Sequence, residues 1–200
     1  MRAPTPWRRW RAPLVVMLLL LAGVGCGQGT PAGQGDPEGT VEVLAKADGW
    51  RDGLQEAADH TYAVIEIARE PDVAQRAWED NVPAELPEAE GRAAAPGVHA
   101  ALDSVDLTDR AVVVYSSGES GTCPTWVEDL DTVEGRLEVR LGSAADEGQP
   151  CTDDFRPYRL VLAVDRDALP APDDLPVEQV DVPSENLTDV AARVEAYPLR

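Results

Sequence analysis

Three cysteines are the residues whose chemistry is most legible in this chain. Cys26 follows Leu21-Ala22-Gly23-Val24-Gly25, behind an acid-free start that carries Arg2, Arg8, Arg9 and Arg11. A thiol placed after small residues offers a site for lipid attachment once the leader is cut away, with Gly25 suited to the position before the cut. Gly23 stands where Leu, Val or Ile is usual. Cys123 and Cys151 are the other two. An even pair in an exported chain is expected to form a disulfide. No CxxC spacing and no neighbouring histidine direct the pair toward redox or metal chemistry.

The remaining groups assemble no catalytic pattern. Gly118-Glu119-Ser120-Gly121-Thr122 approaches a nucleophile elbow but lacks the second glycine two places after the serine. The only histidines, His60 and His99, sit beside no motif, so a serine–histidine relay is not expected. Asp129, Asp131 and Glu134 do not follow the alternation of a calcium-binding loop. Asp103, Asp106 and Asp109, and the pairs Asp153-Asp154 and Asp173-Asp174, are candidates for weak cation contacts only. The expectation is a non-enzymatic protein with no cofactor and no metal. The alternatives are an acid-residue hydrolase, whose carboxylate separation is spatial and unreadable in a sequence, and a calcium-binding surface protein.

Three segments are candidates for a binding surface: the Ser116–Thr122 turn, Trp126, and Asp153 to Tyr158. Within them Ser117, Glu119, Ser120, Trp126, Asp153, Asp154 and Tyr158 are the candidate contact residues. The Cys123–Cys151 bridge would draw the segments to one end of the domain. A rigid loop end bearing aromatic and charged groups is a common recognition surface.

The leader places all of this. Leu14 to Val24 is an uncharged, mostly apolar run of 11 residues, against the roughly 20 needed to span a bilayer. It reads as a signal peptide over residues 1–25. Residues 26–39 are a Gly/Pro-rich linker, and residues 40–200 form a single domain. The whole chain carries a net charge of −20; four of its 17 basic residues and none of its 37 acids fall in the leader, so the mature charge is −24. Such a surface repels nucleic acid and anionic headgroups. The expected attachment is to the extracytoplasmic face of the cell membrane through the lipid on Cys26, with secretion as the alternative. The expected partner is another exported protein.

The elements that must position these residues are mostly strands. Thr40 to Leu44 predicts a short strand, and Thr61 to Ile67 a stronger one, rich in β-branched residues. Pro71 opens a helix whose apolar face holds Val73, Ala74, Ala77 and Trp78, with Asn81 and Pro83 ending it. Residues 83–96 form a poorly patterned connection with a helical turn. Ala111 to Tyr115 is a continuous apolar run, the mark of a central strand buried on both faces. Trp126 to Val133 and Arg136 to Gly142 flank Glu134-Gly135 as a hairpin. That register puts Leu130 opposite Val139 and Thr132 opposite Leu137 on an apolar face, and Asp129 opposite Arg140 and Asp131 opposite Glu138 on a solvated one. Tyr158 to Val164 and Val177 to Val182 are further strands; Ala191 to Tyr197 fits a strand or a short helix. The fold class expected is α+β: a compact, mostly antiparallel sheet with one or two short helices.

This order of pieces resembles the C-terminal domain of the protease-complex subunit PrcB and similar small bacterial envelope lipoproteins. The likeness covers about Thr61 to Val164. It rests on the strand leading to a Trp78-bearing helix, on the lead-in Asp106-Leu107-Thr108-Asp109-Arg110, on the turn Ser116-Ser117-Gly118-Glu119-Ser120-Gly121, and on Pro157-Tyr158 before a strand. Where that family usually carries Thr-Gly-Gly-Tyr, this chain has Gly121-Thr122-Cys123-Pro124, which removes the tyrosine. The resemblance implies a non-catalytic accessory subunit that binds or stabilises another exported protein.

Overall fold

The computed structural model describes residues 40–52, 54, 61–91, 93–145, 149–175, 180–181 and 193–199. The predicted leader, Cys26 and the linker lie outside them. In chain order the elements are β1 (Val41–Asp48), β2 (Thr61–Ala68), α1 (Pro71–Asn81), β3 (Gly97–Val98), β4 (Arg110–Glu119), β5 (Thr125–Val133), β6 (Arg136–Ser143), β7 (Arg156–Asp165), β8 (Val180–Asp181) and β9 (Arg193–Pro198). Among the described residues, three short 3₁₀ turns lie between them. No helix among the described residues is long and apolar enough to cross a membrane.

Two sheets result. The larger runs β3-β1-β7-β4-β2-β9 and the smaller β5-β6-β8. Every pairing is antiparallel except β2 with β9 and β6 with β8. The domain is therefore α+β with a mostly antiparallel sheet, as the strand patterns predict.

Burial explains the layering. On β4, Ala111, Val113 and Tyr115 face one apolar cluster while Val112 and Val114 face another. On β7, Leu160, Leu162 and Val164 divide from Val161 and Ala163 in the same way. The smaller sheet covers the first face with Val127, Leu130, Leu137 and Val139. Helix α1 covers the second with Val73, Ala74 and Ala77, and Trp78 packs at its margin. An aliphatic side chain removed from water contributes roughly 2 kcal/mol, so the doubly covered strands β4 and β7 anchor the fold.

The hairpin forms in the predicted register: Asp129 pairs Arg140, Leu130 pairs Val139, Asp131 pairs Glu138 and Thr132 pairs Leu137. Glu134 and Gly135 have φ of 53° and 79°, the two left-handed residues of a type I′ turn. Helix α1 starts with Pro71 in its first turn and stops before Pro83, with Val82 extended as a pre-proline residue must be.

The structure goes beyond the sequence expectation in two places and decides between its alternatives in a third. β1 continues past Leu44 to Asp48. The 83–96 connection turns at Pro83–Leu86, with the Leu86 N–H donating to the Pro83 carbonyl at 2.9 Å, and is then held by a parallel bridge between Glu88 and Val98. The last segment is a strand, β9, so that alternative resolves against a helix. Of the predicted Val177–Val182 strand, Val180 and Asp181 are described, paired with β6.

Candidate functional site

Strand pairing sets where the chemistry gathers. β4 and β7 run antiparallel from Arg110 opposite Asp165 to Glu119 opposite Arg156. The end of β4, the start of β5 and the loop before β7 therefore meet at one end of the domain. There Cys123 and Cys151 are bonded, with Cα atoms 5.6 Å apart, inside the usual span of a disulfide. Cys123 is buried and Cys151 exposed.

A polar lattice surrounds the bridge. Asp154 Oδ1 accepts from the Gly121 N–H at 3.1 Å and from the Thr152 hydroxyl. Arg156 Nε donates to Asp154 Oδ2 at 2.9 Å. The Thr152 N–H donates to Thr122 Oγ1 at 2.9 Å, and Ser120 Oγ lies 2.9 Å from Thr152 Oγ1. The hydrogen bond from Thr152, then that from Gly121, and lastly Arg156, hold the Asp154 carboxyl at about 2, below its ordinary 3.8. A carboxylate so acidic is a poor proton acceptor at neutral pH, and it is the carboxylate beside Ser120, at 3.4 Å.

Two glycines allow side chains to seat on the main chain. A Cβ on Gly118 would come within 2.0 Å of the Phe155 ring, and one on Gly121 within 2.4 Å of Arg156 Cζ. The ring and the guanidinium thus lie against bare backbone. Phe155, the only phenylalanine of the chain, remains 57% exposed, the most exposed large apolar side chain among the described residues.

Beneath the loops lies Lys46, the single lysine of the chain, fully buried. Its Nζ donates to Glu119 Oε2 at 2.7 Å, to the Thr125 carbonyl at 2.8 Å and to the Ala94 carbonyl at 3.0 Å. It also lies 4.6 Å from the centre of the Tyr158 ring, a cation–π contact. Burial lowers the lysine pKa, opposed by the hydrogen bond and charge of Glu119. All three ammonium protons have acceptors, so no donor is left for a ligand. Glu119 Oε2 also accepts from the Thr125 N–H at 2.7 Å, and Thr125 Oγ1 lies 3.0 Å from the Tyr158 hydroxyl.

The seven candidate contact residues divide. Ser120, Asp153 and Asp154 lie at the loop end, Asp153 exposed and Ser120 half-buried. Trp126 is half-buried against the core and over Gly142, where a Cβ would come within 2.5 Å of its ring; it fastens β5 to β6. Ser117 and Tyr158 are corrected: both are core residues, 0% and 1% exposed, because their strands are covered on both faces. Glu119 faces inward to Lys46. Sequence reasoning missed Lys46 altogether and took in Phe155 only as part of the Asp153–Tyr158 segment. The signals present were a lone lysine in an arginine-rich chain and a lone phenylalanine in an acidic loop.

Among the described residues, no three His, Cys, Asp or Glu side chains converge as a metal site. His99 Nε2 lies 3.0 Å from the Ala95 carbonyl. His60 lies outside the described residues. Comparisons with protein-family models, with curated proteins and with solved structures find no match to the chain.

Proposed function

We propose that this protein is an exported, lipid-anchored, non-catalytic binding or accessory module of the bacterial cell envelope. The observation that carries the reading is the disulfide end: two loops are locked to each other by Cys123–Cys151 and by the Ser120–Thr122–Thr152–Asp154 lattice, and they hold an exposed aromatic ring in a fixed seat. Rigid loops lose little entropy on binding and so favour recognition. The groups there that resemble catalytic residues are poorly suited to catalysis. Lys46 is saturated, Glu119 is paired, and Asp154 is too acidic to serve as a base. The resemblance to the PrcB C-terminal domain supports the same reading, and the sequence before residue 40 supplies the anchor.

Two measurements test it. Mass spectrometry of the mature protein is expected to give an N-terminal Cys26 bearing a diacylglyceryl adduct and an oxidised Cys123–Cys151 pair. Chemical crosslinking in the native envelope is expected to join the protein to another exported protein, and the adduct is expected to weaken in the Cys123→Ser/Cys151→Ser variant. Recovery of an uncrosslinked monomer alone would remove the binding reading.

A further inference from the structure

The identity of the partner surface follows from two observations made at different places. The first is the seat of Phe155. Its ring lies on Gly118 and the next residue is pinned by the Asp154–Arg156 contact, so an exposed aromatic is presented in one orientation. Aromatic rings held rigidly and ringed by polar groups are the usual high-energy contacts of protein interfaces.

The second is the direction in which the cations point. Lys46 and Arg159 are buried, and Arg69, Arg110 and Arg166 are half-buried. Arg159 donates to the carbonyls of Asn81, Asp48 and Gly49. Arg166 donates to those of Arg110, Leu107 and Arg69, Arg110 to that of Ala163 and Arg69 to that of Pro170. These positive charges are turned to the protein's own backbone and, for Lys46 and Arg110, to the carboxylates of Glu119, Glu42 and Asp165, while acids such as Asp153 and Glu128 stand in solvent. Next to Phe155 the exposed Arg156 is paired with Asp154. With a net charge of −20 over the chain, the exposed Asp153 beside the ring gives it an acidic rather than a basic surround.

We infer that Phe155 is the anchor of the docking surface, and that it inserts into an apolar pocket rimmed by lysine or arginine side chains on another exported protein. This rests on the binding reading above. The acidic surround steers the cationic partner and the ring holds it, which divides on-rate from residence time.

The test replaces Phe155 with the photocrosslinker p-benzoylphenylalanine in the full-length, membrane-attached protein. A second position, Glu138 on the solvated face of the hairpin, is replaced in the same way. The expected result is one adduct, at 155 only, whose crosslinked peptide carries net positive charge. With that partner purified, Phe155→Ala is expected to lower affinity at least tenfold, roughly the loss of an interface anchor. Gly118→Ala, which forces the ring from its seat, is expected to do the same with Phe155 present. The association rate should fall several-fold between 50 and 500 mM NaCl, by roughly the margin of electrostatic steering.

A crosslinked segment that is neutral or acidic, or an association rate indifferent to salt, overturns the inferred partner chemistry. An adduct at 138 and none at 155, or full affinity in Phe155→Ala, overturns Phe155 as anchor while the binding reading stands. No adduct at either position, together with no crosslink to the wild-type protein, overturns both.

Discussion

Lys46 holds its amino group where water does not reach, and three acceptors drawn from distant parts of the chain make that possible. Those acceptors lie 48, 73 and 79 residues away, so no local pattern announces them. Its neighbours Ala45, Ala47 and Asp48 are weak strand formers, which is why β1 is legible only as far as Leu44. Removing the ammonium strands Glu119, whose side chain is only 13% exposed. Lys46→Met is therefore expected to lower unfolding free energy by about 3 kcal/mol, the scale of a broken buried pair, with part of that recovered in Lys46→Met/Glu119→Leu. Urea titration of the three proteins checks it, and a single variant as stable as the parent refutes the pairing. Asp154 gives a test of opposite character, on the surface and in acid. Its folded-state pKa of about 2 lies below the ordinary 3.8. A lowered folded-state pKa means its contribution is complete above about pH 4 and lost as pH falls from there toward 2. Asp154→Asn is expected to flatten the stability profile across that window alone; parallel profiles for both proteins would show that the lattice does not hold the carboxylate.

At the scale of elements, local patterning succeeds where each strand's environment is uniform along its length. Ala111 to Tyr115 is apolar at every position because both faces are covered, and the hairpin alternates because one face of it is wet. Both were legible for that reason, down to the opposition of Asp131 and Glu138. The short pieces were not: β3 has two residues and exists because Val98 finds Ala45 on β1 and Glu88 beside it. The candidate surface was half legible. Cysteine parity placed the bridge, but alternation along β4 and β7 does not reveal that Ser117 and Tyr158 stay buried where those strands reach their ends. The bridge itself closes a loop with a sequence separation of 28. On the chain-entropy model, cross-linking a loop of that size stabilises by about 3.5 kcal/mol. Cys123→Ser/Cys151→Ser is expected to show a loss of that order in urea, with faster amide exchange confined to residues 120–124 and 149–155. Equal stability in the double variant would mean that the hydroxyl and carboxylate lattice alone fixes the loops.

For the whole molecule, the balance of charge is governed less by composition than by where the cations are placed. A net charge of −20 implies self-repulsion in the folded state, which denser packing of charge makes worse than in the expanded chain. Turning Arg159 and Arg166 toward backbone carbonyls and burying Lys46 strengthens the scaffold, and 37 acids against 17 basic residues leave much of the acid uncompensated. The exposed ion pairs that remain, such as Arg76 with Asp72 and Arg140 with Asp129, are screened by solvent and contribute little. The two effects respond to salt with opposite sign: screening relieves the net repulsion and weakens the surface pairs. The repulsion acts across many charges at once, and the Debye length shrinks from about 30 Å at 0.01 M to about 8 Å at 0.15 M. Repulsion should dominate, so the urea midpoint of the mature domain at pH 7 is expected to rise as NaCl increases over that range. Guanidinium chloride, itself a salt, is unsuitable for the measurement. A midpoint that falls would show that the local pairs outweigh the global field, and the outward negative potential inferred for the Phe155 surface would lose its physical basis.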